Sequence, residues 1–125
     1  MTQLDDWDDS KPIYRQLRDK VISLIIDGSF AEGEAIPSVR QVSSDYRINH
    51  LTVSKAYQEL VEDGLLEARR GLGMFVKLGA KRQLLESQRM QFIEKEIPEL
   101  LARLAQLGIS KAELVSLLKD EESNK

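Results

Sequence analysis

The stretch from Arg47 to Gly64, RINHLTVSKAYQELVEDG, restricts what this chain can fold into more than any other. Val53, Ala56, Tyr57 and Leu60 recur at i, i+3, i+4 and i+7, the spacing of one buried stripe on a helix. The opposite face carries His50, Leu51, Thr52, Ser54, Lys55 and Gln58. A solvated helix face is usually built from Glu and Lys, which stabilise one another at i,i+4. Here the side chains are short, mostly polar and uncharged apart from Lys55, and no acid occurs between Arg47 and Gln58. Such a face lets the backbone approach a polyanion closely and offers groups that donate or accept at bases and phosphates.

The neighbours of this helix give it a context. Asn49 can cap its start, and Gly64 follows its end. A short helix over Val39–Tyr46 precedes it, with Ser38 and Gln41 at capping-box spacing and Val39 and Val42 apolar. Arg47 and Ile48 separate the two helices, which together read as a helix-turn-helix. A further helix is expected upstream from Ser10, the candidate cap, through a stripe of Ile13, Leu17, Val21, Leu24 and Ile25 to Gly28, with Pro12 in its first turn. The stretch SFAEGEAIP is read as a connection. Downstream, Leu66–Arg69 and Met74–Leu78 read as two strands joined by Arg70-Gly71-Leu72-Gly73. A lone hairpin is marginal and needs a surface to pack on. Helix, helix-turn-helix and basic-tipped hairpin in this order define a winged helix-turn-helix.

Charge at first argues the other way, since the 125 residues carry a net charge of −3. Its distribution matters more than its sum. Residues 1–10 hold four Asp and no base, residues 11–82 hold twelve Lys or Arg against nine acids, and the remainder six against eight. The middle of the chain is therefore its basic part. With no cysteine and one histidine, neither a disulfide framework nor a thiolate or multi-His metal centre is available. No apolar run approaches the ~20 residues that span a bilayer, and the acidic N-terminus does not read as a signal peptide. A cytoplasmic protein without cofactor is the expectation.

Beyond Lys81 the helical period returns with more apolar residues than one narrow face requires. Leu84, Leu85, Phe92, Ile93, Ile97, Leu100, Leu101 and Leu104 precede Gly108, and Leu114, Leu117 and Leu118 follow in a last helix that Ser110 and Glu113 can cap. Pro98 is expected to kink or break the longer helix, since it cannot bond the carbonyl of Glu94. Excess apolar surface on an amphipathic tail marks a protein partner, most commonly an identical chain. Residues 81–118 are accordingly read as a helical dimerisation tail and residues 10–78 as the DNA-binding domain.

The run AIPSVRQVSSDYRINHLTVSKAYQELVEDGLLEARRGLGMFV resembles the DNA-binding domain of the GntR superfamily of bacterial transcription regulators. The short tail is similar to that of the YtrA-like branch, because the residues after Arg82 are too few for a separate effector-binding domain. The resemblance implies that Arg40 contacts DNA from the second helix and that Thr52 reaches phosphate or base. It places His50, Leu51, Ser54 and Lys55 at variable positions that set operator choice, and Arg69, Arg70 and Gly71 at the wing tip. Met74 stands where relatives usually have threonine, and His50 where Arg or Asn is common. The implied function is a transcription regulator, a repressor binding double-stranded operator DNA as a homodimer and controlling a neighbouring transporter operon. Two rivals come from other classes. A winged helix used only for protein interaction has the net charge in its favour. An enzyme fails on inventory, because the paired glycines sit in a hairpin followed by a strand rather than before a helix.

Overall fold

The computed structural model describes residues 7–123 and divides them into two compact units that meet between Leu85 and Glu86. In the first, α1 (Ile13–Ile26) and α2 (Val39–Tyr46) each pack against α3 (His50–Glu62). The buried faces are those the periodicity demands: Leu17, Val21 and Ile25 on α1, Val42 on α2, and Val53, Ala56, Tyr57 and Leu60 on α3. Arg18 of α1 pairs with Glu59 at 3.5 Å and with Asp63, tying the solvent edges of α1 and α3 together.

The start of α1 differs from the expected one. Proline disfavours the helical conformation in the residue before it, so Lys11 cannot be a helical residue ahead of Pro12. Pro12 itself occupies the cap position and contributes no side-chain bond. The N–H and hydroxyl of Ser10 instead both donate to the Asp8 carboxylate at 2.8 Å, forming a turn upstream. Ile13, expected in the buried stripe, is exposed.

Strands β1 (Leu66–Arg69) and β2 (Gly73–Val76) pair antiparallel, with Leu66 opposite Val76 and Arg69 opposite Gly73. The second strand ends two residues before Leu78: the Lys77 N–H adds one last bond to the Leu65 carbonyl, and Gly79 then turns the chain with a positive φ. The surface that supports the hairpin is the connection between α1 and α2, which sequence periodicity could not assign. Gly33 and Ile36 donate N–H groups to Val76 and Met74, Val76 donates to Glu34, and Ala35 bridges Phe75. This short third edge satisfies the inner backbone of β2 and anchors the wing to the helices.

Helix α4 (Ala80–Gln91) begins inside the first unit. Ala80 and Leu84 are buried in its core, and the Glu32 carboxylate accepts the N–H groups of Gly79 and Lys81 at 3.0 and 3.1 Å. That carboxylate satisfies N–H groups a helix leaves open at its start. Leu84, expected among the dimerisation residues, is therefore core of the winged unit. The core runs past the expected boundary at residue 78.

In the second unit the helix continues through a π-helical segment, Phe92–Glu96, into α5 (Ile97–Gln106), and α6 (Lys111–Ser123) follows. Pro98 neither breaks the helix nor leaves an orphan in its middle. The Ile97 N–H reaches five residues back to the Phe92 carbonyl, and Pro98 falls in the first turn of α5, where a missing N–H is tolerated. Gly108, at φ 74°, ends α5, and the Ser110 hydroxyl caps α6 by accepting the Glu113 N–H at 3.1 Å. Leu85, Phe92, Ile93, Leu100, Leu101, Leu117 and Leu118 are exposed, while Ile97, Leu104 and Leu114 are half-buried.

Candidate nucleic-acid interface

The turn between α2 and α3 is held by three local features. Arg47 adopts a left-handed conformation, φ 54°, the one described non-glycine residue with positive φ. The Ser43 hydroxyl donates to the carbonyl of buried Ile48, and the Asn49 carboxamide accepts the Leu51 N–H at 2.8 Å. Ahead of α2, the Ser38 hydroxyl accepts the Gln41 N–H at 3.0 Å. The core contributes one long-range tie: the Tyr57 hydroxyl donates to the Pro37 carbonyl at 2.7 Å. Burial pushes the Tyr57 phenol above its ordinary pKa of 10, so it remains a neutral donor. The segment that starts α2 is thereby fixed to α3.

On this frame Arg40 is exposed on α2 and shares a shallow depression with Ser43, Ser44 and His50, beside the first turn of α3. His50 and Leu51 are exposed, Leu51 at 67%, and Thr52 and Ser54 are half-buried. The dipole at this helix start favours phosphate. Lys55 is exposed but engaged, its ammonium lying 3.9 Å from the centroid of the Tyr14 ring. The polar side of α3 that faces solvent therefore carries no acid from His50 to Gln58.

At the wing the two arginines differ. Arg69 donates from Nε to Glu67 at 2.8 Å and lies 4.1 Å over the Phe75 ring. Arg70 is exposed, and among the described residues it has no ion-pair partner. Gly71 takes φ 77° in the tight turn that the Leu72 N–H closes onto the Arg69 carbonyl. Two exposed residues join this surface without having been assigned a role from sequence: Arg47 in the turn and Leu72, 71% exposed, at the wing tip. Arg47 was legible in principle as a cation between two helices. Leu72 was hidden by its apolar character, which reads as interior.

Among the described residues no His, Asp and Glu side chains gather as a metal site, and no helix is long and apolar enough to cross a membrane. A helix-turn-helix whose second helix is open and carries no acid from His50 to Gln58, backed by a hairpin with a cationic, glycine-bearing tip, defines a winged-helix DNA-binding regulator. Residues 13–76 match the family described as bacterial regulatory proteins, gntR family, and the chain belongs to that family. It is 32% identical over 111 residues to the HTH-type transcriptional repressor YtrA of Bacillus subtilis, covering 89% of this chain and 85% of that protein. A putative GntR-family regulator from Bacteroides thetaiotaomicron superposes with a TM-score of 0.74 at 31% identity, over 89% of this chain and 97% of that one. The DNA-binding domain of AraR, solved in complex with operator ORE1, matches 53% of this chain and 80% of its own at a TM-score of 0.51 and 30% identity. Family membership closes the enzyme reading.

Proposed function

We propose that this chain is a cytoplasmic repressor that binds an inverted-repeat operator as a homodimer. The observation that carries the reading is the His50–Gln58 face of α3, free of acids and presented to solvent beside Arg40. In the major groove, His50, Leu51 and Ser54 meet base edges while Arg40 and Thr52 hold phosphates. Lys55 joins them by leaving the Tyr14 ring, a modest cost because exposed cation–π contacts contribute roughly 0.5–1 kcal/mol. Arg70 and Gly71 carry the wing toward the adjacent minor groove, and Arg69 braces the strand behind them. The exposed leucines and isoleucines of α5, α6 and the π segment bury against a second copy, placing two recognition helices on half-sites about 10 bp or a multiple apart. Repression follows if the operator overlaps a promoter. Control of a neighbouring transporter operon is the most specific part of this proposal, and its support is kinship to the YtrA repressor.

The test is titration of the full chain against DNA from upstream of its own gene, at about 50 and 200 mM salt, with Arg40→Ala alongside. Tight binding that falls steeply with salt and is crippled by the substitution is the expected result. Equal, weak binding by both proteins at both salts defeats it and favours a protein-interaction role for the same face.

A further inference from the structure

A second concavity lies on the side of α2 away from the proposed DNA surface. Because α1 and α2 both dock on α3, they leave a cleft of about 330 Å³ between them. Leu17, Val21, Val42 and Tyr57 form its buried floor, Phe30 and Pro37 a wall, and Gln41, Asp45 and Tyr46 its polar rim. No Lys or Arg lines it. The size and the apolar lining with few polar groups are those of a small-molecule site.

Asp45 says what charge the occupant carries. It stands, exposed to solvent, in the last turn of α2, where the helix dipole favours cations and the only base is the cap residue Arg47, which does not line the cleft. Among the described residues it has neither an ion-pair partner nor a hydrogen-bond donor. A carboxylate there works against the helix that carries it, and a cation in the cleft would reverse that. The Phe30 and Tyr46 rings supply the aromatic surface on which an alkylammonium group is held. We infer that this cleft binds a small organic cation with an apolar body, its ammonium at Asp45 and its apolar part against Leu17, Val21 and Val42.

The same helix links the cleft to the proposed DNA surface. Gln41, Val42 and Asp45 face the cleft, while Arg40, Ser43 and Ser44 face the depression beside His50. A ligand wedged between α1 and α2 displaces α2 and with it Arg40, so its occupancy lowers operator affinity.

Binding is measured first without DNA, so that its failure and a failure of the repressor reading remain separate. Benzyltrimethylammonium, with benzyl alcohol as neutral control, is titrated into the full chain while the ring resonances of Tyr46, Tyr57 and Phe30 are followed by NMR. Saturable shifts of these rings by the cation are expected, weakened about tenfold or more by Asp45→Asn, as for loss of a charge-assisted contact. Leu24 also lines the cleft, and Leu24→Trp, which fills it, is to abolish the shifts, with circular dichroism of both variants matching wild type. If the cation gives no saturable shift, or Asp45→Asn binds it as well as wild type does, the site is wrong. On a footprinted operator at constant ionic strength, saturating cation is expected to weaken binding by about tenfold in wild type and not in Asp45→Asn. An unchanged operator affinity overturns the coupling.

Discussion

At the residue scale the two wing arginines separate contributions that the sequence presents as equivalent. Arg70 has nothing to release before meeting a phosphate, whereas Arg69 must leave Glu67 and Phe75. We therefore expect Arg70→Ala to reduce the slope of log affinity against log salt by about 1, and Arg69→Ala by less, in titrations across a salt series. Tyr57→Phe removes the hydroxyl that reaches Pro37 and should cost about 1 kcal/mol of unfolding free energy in urea melts. The same substitution has a pH signature. Burial raises the phenol's pKa, so the proton is held more tightly in the folded chain. The Tyr57 contribution is complete below pH 10 and declines above it as the unfolded chain releases that proton, a limb that is absent in the Phe variant. None of this was readable beforehand. The spacing of Tyr57 says that it is buried, but its partner lies twenty residues away.

At the element scale, what the sequence made legible is what obeys a local rule. The α2 and α3 caps, the β1 strand, the glycine after α5 and the Ser110 cap all depend on neighbours within a few residues. The departures come where a partner is distant or two local rules compete. Pro12 overrides Ser10 because its own constraint on Lys11 outweighs a cap, and Pro98 is absorbed by a change of helical register that a fixed 3.6-residue period does not contain. The third edge of the wing is invisible because SFAEGEAIP has no alternation and acquires its role only by meeting β2. The candidate interface was legible on α3 and at the wing tip, where residue type reports it. The engagement of Lys55 and Arg69 was not, since both depend on aromatic rings brought from elsewhere. The wing turn yields its own expectation. Gly71 has open space around a β-carbon but a φ of 77°, so Gly71→Ala should cost about 1 kcal/mol through backbone conformation alone, seen as a lower urea midpoint with unchanged slope.

For the whole molecule, two expectations concern how it holds together. On the proposed dimer, paired substitutions Leu100→Glu and Leu101→Glu on the exposed side of α5 should leave the winged unit folded, shift the sedimentation coefficient from that of a dimer to that of a monomer, and weaken operator binding. A wild type that sediments as a monomer would overturn the proposed dimer, and a coefficient unchanged by the substitutions would overturn a dimer contact through α5. The other expectation is acid sensitivity. Two backbone N–H groups and nearby Lys81 hold the Glu32 carboxyl below its ordinary pKa of 4.5. Its contribution is present above pH 4.5 and is lost as the pH falls through the lowered value, so wild type and Glu32→Gln should converge in thermal melts below that range.

The way α4 starts also governs how such a regulator can be taken apart and rebuilt. Ala80 and Leu84 complete the core of the winged unit, and Glu32 grips the first turn of the helix they lie on. A fragment ended at residue 78 would open a hole where those two side chains sit and leave a carboxylate without its amides. A seam placed after Leu85 leaves both intact. Exchange of one tail for another, by recombination or by an engineer grafting a new sensor, is therefore constrained to begin partway along a helix. The incoming segment must continue that helix in phase.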